Sequence, residues 1–267
     1  ECTLEPMNFS DLMCLAIVVV VTAKTIAWLI QLRTHNAAVV DPIWAWSLGS
    51  LAVLFGVAGS APPEVRMLVA LMGGVWGMRL GMHLWTRMAD KPEDFRYARF
   101  RADWGDKANR NLFFFFQFQN LFTLILAVSA FGAASYRDDS VPMVLMVLAV
   151  LIWFVAVVGE GLADAQMDRF RRDPGNQGEV CRDGLWRYSR HPNYFFECVH
   201  WLAYVPLAWG APWAWTVAIA PLVMAFLLTR LSGMPMLEAE MAKRKLGFTE
   251  YVRTTSPLIP WFPKQES

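Results

Sequence analysis

The run Gly184-Leu185-Trp186-Arg187-Tyr188-Ser189-Arg190-His191-Pro192-Asn193-Tyr194-Phe195-Phe196-Glu197 gathers guanidinium, imidazole, amide and carboxyl groups at the mouth of an apolar segment. Such groups are costly at membrane depth and concentrate there mainly where they bind or react. Pro192 suits the first turn of the helix that follows. Just upstream, Glu160, Asp164, Asp168 and Arg171 recur at helical spacing, with Arg169 and Arg172 beside them. On one helix face these groups either neutralise one another as an ion-pair ladder or meet a nucleotide, carboxylate to ribose hydroxyl and arginine to phosphate. Neither G-x-G-x-x-G nor G-K-[ST] accompanies them, so a nucleotide would be gripped by side chains between helices.

A second set of candidates lies earlier in the chain. Asp41, beside Pro42, either caps a helix or presents a protonated or donor-paired carboxylic acid to a reacting oxygen. Arg79 and His83 are four apart and share a helix face with Trp76, and two ionisable groups within a span avoid lipid. Tyr97, in Glu93-Asp94-Phe95-Arg96-Tyr97, is either a proton donor or a loop anchor. Glu93 and Asp94 read first as helix-terminal charges or partners of Arg96, and second as cofactor contacts. Cys2, Cys14, Cys181 and Cys198 have no metal-ligand spacing and no C-x-x-C pair, so neither a disulfide framework nor a metal site is expected.

The scaffold that must position these groups is set by composition. A chain of 267 residues that is 56% hydrophobic, with 13 tryptophans and 14 methionines, is too apolar for an average soluble domain. The expected fold is an all-α integral membrane bundle of about seven transmembrane helices, each near the ~20 apolar residues a span requires. Their approximate bounds are 11–32, 43–60, 65–87, 112–134, 141–165, 194–210 and 212–231. The last two are split only by Gly210-Ala211-Pro212, which leaves six or eight spans open. Connections 33–42, 88–111, 166–193 and the tail from Leu231 are basic or long and polar, whereas 61–64, 135–140 and 210–211 are short and nearly uncharged apart from Glu64, Arg137, Asp138 and Asp139. The excess of Lys and Arg on one side predicts an outside N-terminus and a cytoplasmic C-terminus. Glu1–Pro6 precede Met7, a natural start, so residues 1–10 read as an N-terminal segment added in part, and 11–267 as one domain. The net charge of +1 gives no reason to expect nucleic acid. Tyr97, Trp104, Trp186, Tyr188, Tyr251 and Trp261 stand among the charges of the basic connections, as packed loop residues or as interfacial anchors.

The run from Glu160 to Glu197, with Gly233-Met234-Pro235-Met236-Leu237-Glu238 and the stretch from Glu250-Tyr251 to Leu258-Ile259-Pro260-Trp261, resembles the C-terminal region of the steroid 5-alpha-reductase family. It is most similar to the bacterial integral-membrane homologues, within a wider superfamily of membrane sterol reductases and isoprenylcysteine methyltransferases. Asp41-Pro42-Ile43-Trp44, Arg79-Leu80-Gly81 and Glu93-Asp94-Phe95-Arg96-Tyr97 resemble the N-terminal signatures of the bacterial branch. The resemblance implies a seven-helix enzyme of the bacterial inner membrane that holds NADPH in a cytoplasm-facing cavity. Its substrate would be a 3-oxo-delta-4 steroid or similar lipophilic enone, entering from the bilayer, whose carbon–carbon double bond is reduced. No obligate protein partner is implied.

The same resemblance implies that Asp164, Arg171, Tyr188, Asn193 and Glu197 line the dinucleotide pocket. Arg230 and Glu238 approach it from the last helix, Tyr251 closes it, and Arg79 joins the set. Arg190 and His191 match the motif as cofactor contacts or as structural pins. Mammalian relatives use a glutamate on the second helix and a tyrosine on the third. Here the second span opens with Asp41 and the third carries Arg79, His83 and Arg87 but no tyrosine, which leaves Asp41, Tyr97 and His83 as catalytic candidates. Hydride addition to an enone builds negative charge on the carbonyl oxygen, so the reaction needs a donor there and dryness around the hydride. Two rivals stand beside this reading. A membrane methyltransferase using S-adenosylmethionine would share Arg190-His191-Pro192, but its cofactor has no phosphate for the arginines after Asp164. A non-catalytic membrane protein or transporter would place broken helices and repeats at the midplane.

Overall fold

The computed structural model describes residues 6–89, 91–231 and 233–264. Residues 1–5, which hold Cys2 and most of the expected added segment, lie outside the described residues. Every element among the described residues is a helix. In chain order these are α1 Phe9–Thr34, α2 Val40–Ala58, α3 Pro63–Met88, α4 Phe95–Trp104, α5 Ala108–Leu126, α6 Ala133–Ser135, α7 Met143–Arg172, α8 Pro192–Leu202, α9 Val205–Ala208, α10 Ile219–Phe226, α11 Met234–Arg244 and α12 Phe248–Thr254. A π-helical segment, Ala127–Gly132, joins α5 to α6, and another, Leu227–Leu231, continues α10.

The protein is membrane-embedded and all-helical. Among the described residues, 6 helical stretches are long and apolar enough to cross a bilayer: Phe9–Thr34, Ala37–Ala58, Pro63–Met88, Phe95–Ser135, Met143–Arg172 and Ala214–Arg244. Large apolar side chains such as Val18, Leu71, Phe118, Phe154 and Leu222 stay exposed along these helices, while Lys24, Asn120 and Glu160 are buried. That inversion of the soluble pattern suits a solvent of lipid. The stretch 194–210 differs from its expected single span. α8 stops at Leu202 and α9 begins only at Val205. Pro206 explains the break, because it offers no amide hydrogen and its ring crowds the carbonyl four residues back, that of Leu202.

The chain divides into two compact units, the first comprising Glu1–Val147 with Tyr204–Ala220, the second Leu148–Ala203 with Pro221–Ser267. In the first, Asn8 caps α1 by accepting from the Asp11 amide at 2.9 Å, and His35 ends it in a left-handed conformation. α2 and α3 meet along a seam of small residues. A Cβ added to Gly77 would lie 2.6 Å from the Gly49 Cα and 2.8 Å from the Ala45 carbonyl oxygen, so the backbones touch. Close backbone approach of this kind replaces the hydrophobic drive that lipid removes. α4 lies within the long basic connection, and its aromatic side is packed: Tyr97 is buried, and Phe100 stacks on Trp104 with centroids 5.0 Å apart. Arg137 is buried and donates to the carbonyls of Leu207 and Trp209, satisfying the orphan acceptors that end α9.

In the second unit, α7 carries the acids and α8 follows the arginine-rich loop. Gly159 lets the Phe196 ring lie against α7, since a Cβ there would meet the ring at 2.4 Å. α12 and the tail beyond it hold the loop 184–190 from its other side, through contacts described below. Trp186 and Tyr251 are buried, whereas Trp261 is exposed. Of the aromatics in the basic connections, Tyr97, Trp186 and Tyr251 are packed loop residues.

Candidate functional site

In the first unit, the polar residues of the α3–α4 connection turn inward. Asp94 caps α4 by accepting from the Arg96 amide at 3.0 Å, which orients the first turn and with it Arg96 and Tyr97. The Arg96 guanidinium donates Nε to Asp94 Oδ1 and Nη2 to Asp41 Oδ2, both at 2.8 Å. The Tyr97 hydroxyl donates to the other oxygen of Asp41, Oδ1, at 2.6 Å. Burial opposes ionisation of Asp94, but the hydrogen bond and charge of Arg96 outweigh it and hold the carboxyl below its ordinary 3.8. Beside this cluster Glu93 accepts from Arg101 Nε at 2.9 Å and from the Ala37 amide at 2.7 Å. Arg101 reaches on to Gln31 Oε1 of α1 at 2.7 Å. A cavity of about 110 Å³ opens on Asp41, walled by Ala38, Leu84, Arg87, Lys91 and Asp94 among others.

Two catalytic candidates, Asp41 and Tyr97, are thus brought into direct contact. Both oxygens of Asp41 meet donors, Oδ2 the Arg96 guanidinium and Oδ1 the Tyr97 hydroxyl, which is the donor-paired arrangement among the alternatives for this carboxyl. Asp94 pairs with Arg96 as the spacing suggests, whereas Glu93 pairs with Arg101. His83 and Arg79 are half-buried on α3, His83 one turn before Arg87 of the cavity wall, with Trp76 fully buried on the same helix.

In the second unit, the C-terminal half of α7 and the start of α8 converge. Asp164 and Glu160 are buried on α7, and Asn193, in the first turn of α8, donates Nδ2 to Asp164 Oδ1 at 3.4 Å. The other amide atom, Asn193 Oδ1, is buried and accepts no hydrogen bond among the described residues. Glu197, one turn further on, is buried and accepts from Trp201 Nε1 at 3.1 Å. Arg171 ends α7 on the exposed side, and Arg230 is exposed in the π-helical segment after α10. The loop between α7 and α8 is laid on α7 by Gln166 Oε1, which accepts from the Leu185 amide at 2.9 Å, and by Trp186 Nε1, which donates to the Ala163 carbonyl at 2.9 Å. Gly184 supplies the positive φ of 56° that this approach requires, and a Cβ there would strike the Gln166 side chain.

Three of the expected cofactor residues turn out to be tied into the scaffold. Tyr251 donates its hydroxyl to the carbonyls of Trp186 and Ser189, and burial pushes the phenol well above its usual range. His191 is buried, stacks on Tyr194 at 5.2 Å, and shares Glu238 Oε1 with Arg190, at 2.9 Å from His191 Nε2 and 3.0 Å from Arg190 Nε. Of the two readings of Arg190 and His191, these bonds describe pins between the motif loop and α11. Glu238 is the shared acceptor of that clamp. Arg190 also donates to the Val252 carbonyl at 2.7 Å, and the tail returns the tie through Ser256 to the Arg190 amide at 2.8 Å. Tyr188 is half-buried against the edge of Phe262.

Lys24, Gln31, Arg101 and Gln166 were not among the candidates read from the sequence. Lys24 carried a signal, as the only charge inside the apolar run 12–32. Gln166 carried none, and for Arg101 the tie to Gln31, 70 residues away, left no local trace. Among the described residues no cluster of His, Cys, Asp and Glu is arranged to hold a metal. A family model described as "Protein of unknown function (DUF1295)" matches residues 27–255. No curated protein and no solved structure matches the chain.

Proposed function

The chain belongs to the DUF1295 family, and from that premise we propose that it is an NADPH-dependent membrane reductase of the steroid 5-alpha-reductase type, acting on the conjugated double bond of a lipophilic 3-oxo enone. The observation that carries the reading is the contact of Asn193 with Asp164, with Glu197 one turn further along α8, near the end of a membrane helix that runs on into Arg169, Arg171 and Arg172.

The donor set fits a phosphorylated dinucleotide. A buried carboxylate suits ribose hydroxyls, the Asn193 Oδ1 needs a donor, and exposed arginines beside them suit phosphates. When bound, NADPH would supply hydride. Asp164, Asn193 and Glu197 would orient it, and Arg171 would carry the charge-assisted contacts. The clamp of His191, Arg190 and Glu238, with Tyr251 beneath, would keep the loop from yielding to the ligand.

In the first unit, the Tyr97 hydroxyl donates to Asp41 Oδ1 while the Arg96 guanidinium donates to Asp41 Oδ2. Such a pair can serve proton transfer at a substrate oxygen or carbon. The Tyr97 ring lies in an apolar cluster with Val40, Leu112 and Phe116, while the Asp41 side of the pair borders the cavity.

The test is turnover. Purified protein would be incubated with NADPH and testosterone, progesterone or androstenedione, and products identified by mass spectrometry. The reading expects a gain of two hydrogens in at least one steroid or another lipophilic enone. Binding of S-adenosylmethionine with no NADPH-dependent product would transfer the assignment to the methyltransferase class.

A further inference from the structure

The exposed apolar side chains of α7 run from Met143 to Leu162, roughly 29 Å of helix and close to the ~30 Å of a bilayer's hydrocarbon layer. The hydrocarbon edge on this helix therefore falls near Leu162. The loop 184–190 is hung on α7 at that edge, since Trp186 Nε1 donates to the Ala163 carbonyl and the Leu185 amide to Gln166 Oε1. The segment after α12 is in turn tied to the loop. Ser189 Oγ donates to the Leu258 carbonyl at 2.7 Å, the Arg190 amide to the Ser256 carbonyl at 2.8 Å and the Trp261 amide to the Tyr188 carbonyl at 2.9 Å. Residues 256–261 are thereby held at the depth where hydrocarbon gives way to headgroups.

At that depth the segment turns apolar side chains outward. Ile259, Trp261 and Phe262 are 64%, 71% and 76% exposed, although the backbone that carries them is fixed. Pro257, Pro260 and Pro263 have no amide hydrogen and the Trp261 amide is satisfied, so few donors lose water when the segment enters a drier medium. Beside the apolar side chains stand Arg187, Arg253 and Lys264, all exposed and without an ion pair among the described residues. Backbone ties bring them there. Arg187 directly precedes Tyr188, and the Lys264 amide donates at 2.9 Å to the carbonyl of Thr254, the neighbour of Arg253. Exposed apolar side chains with unpaired cations around them match the boundary of a bilayer that carries anionic headgroups. A second copy of the chain would bring the same cations against these, whereas anionic lipid brings the opposite charge.

We propose that residues 257–264 are an interfacial anchor that binds anionic phospholipid. Ile259, Trp261 and Phe262 enter the boundary between headgroups and acyl chains, while Arg187, Arg253 and Lys264 meet lipid phosphates. The two guanidinium groups offer forked donors to a phosphate and the ammonium offers a point charge. The leaflet holds the segment on one side, and the segment holds Tyr188, Ser189 and Arg190 on the other, so lipid charge stiffens the motif loop from outside the protein. This anchoring is independent of what the loop and α8 bind.

The experiment uses the full chain in nanodiscs of phosphatidylcholine alone or of equal parts phosphatidylcholine and phosphatidylglycerol. Protein labelled with fluorotryptophan is observed by fluorine NMR, and the resonance missing from Trp261→Phe is that of Trp261. A nitroxide carried at the top of a lipid acyl chain should broaden this resonance more than a water-soluble gadolinium chelate does. Stronger broadening by the chelate overturns the anchor, and broadening by neither overturns it too, by showing that protein covers the patch. Thermal unfolding reads the charge. Wild type should gain Tm when phosphatidylglycerol is added, and Arg187→Gln, Arg253→Gln and Lys264→Gln should each lose about 2–4 °C of that gain. No gain in wild type, or an equal gain in all four proteins, overturns the choice of anionic lipid. Every replaced side chain is exposed, so the variants keep the fold, and neither readout involves NADPH, so the reductase reading stands or falls separately.

Discussion

Replacing Tyr97 with phenylalanine removes one atom from the most sharply defined contact of the first unit. The hydroxyl donates to Asp41 Oδ1 at 2.6 Å, and the ring, 3% exposed, keeps its packing against Phe100 and Phe116. A hydrogen bond to a charged group is worth roughly 1.5–3 kcal/mol. Asp41 retains Arg96 on its other oxygen, and its side chain is 25% exposed, so water from the adjoining cavity can replace the lost donor. The lower end applies, ~1.5 kcal/mol, which corresponds to a fall in Tm of about 3–6 °C by the scaling of soluble domains of this size. Turnover is a separate matter. If the Tyr97–Asp41 pair handles the proton of the reaction, kcat should drop by about 10²-fold or more, the usual weight of a general acid or base, with NADPH affinity intact. Thermal unfolding in detergent and steady-state kinetics read the two effects independently. Wild-type kcat alongside the expected Tm loss would show that the pair only secures α4 to α2, and the proton would have to come from elsewhere.

Other substitutions test other parts of the account. Asn193→Ala should weaken NADPH binding by about tenfold, since it removes a hydrogen bond worth ~1.5 kcal/mol; isothermal titration checks it. Gly77→Val should lower Tm and yield, because its Cβ alone would lie 2.6 Å from the Gly49 backbone and α2 cannot retreat without opening the seam. For Asp94 the sign follows from a folded value below 3.8: the stability it adds is present above that pH and is lost as pH falls through the folded value. Asp94→Asn should therefore be less stable than wild type at pH 7, with the gap closing below about pH 4 in acid unfolding curves.

Hydropathy made the helices legible because a span is defined by length and lack of charge, both local properties. The limits of α1, α2 and α3 lie close to the expected 11–32, 43–60 and 65–87. Within the sixth expected span α8 and α9 are separate helices, because Pro206 interrupts an apolar stretch whose mean hydropathy does not register a single missing amide. The basic connection 88–111 read as a charged loop marking one side of the membrane, yet α4 directs Arg96 and Arg101 inward to Asp41, Glu93 and Gln31. Charge counts cannot reveal the ties to Asp41 and Gln31, since these lie 55 and 70 residues from Arg96 and Arg101. The motif around Arg190-His191-Pro192 announced a site, but its composition could not separate ligand contacts from pins. Only the distances show that His191 and Arg190 meet Glu238, that Arg190 reaches Val252, that Tyr251 reaches Trp186 and that Asn193 meets Asp164.

The most direct measurement is equilibrium binding of NADPH to the purified protein, wild type and Arg171→Ala, with S-adenosylmethionine titrated in parallel. The account predicts NADPH binding that weakens in Arg171→Ala and no uptake of S-adenosylmethionine. Saturable S-adenosylmethionine binding with none of NADPH would contradict it.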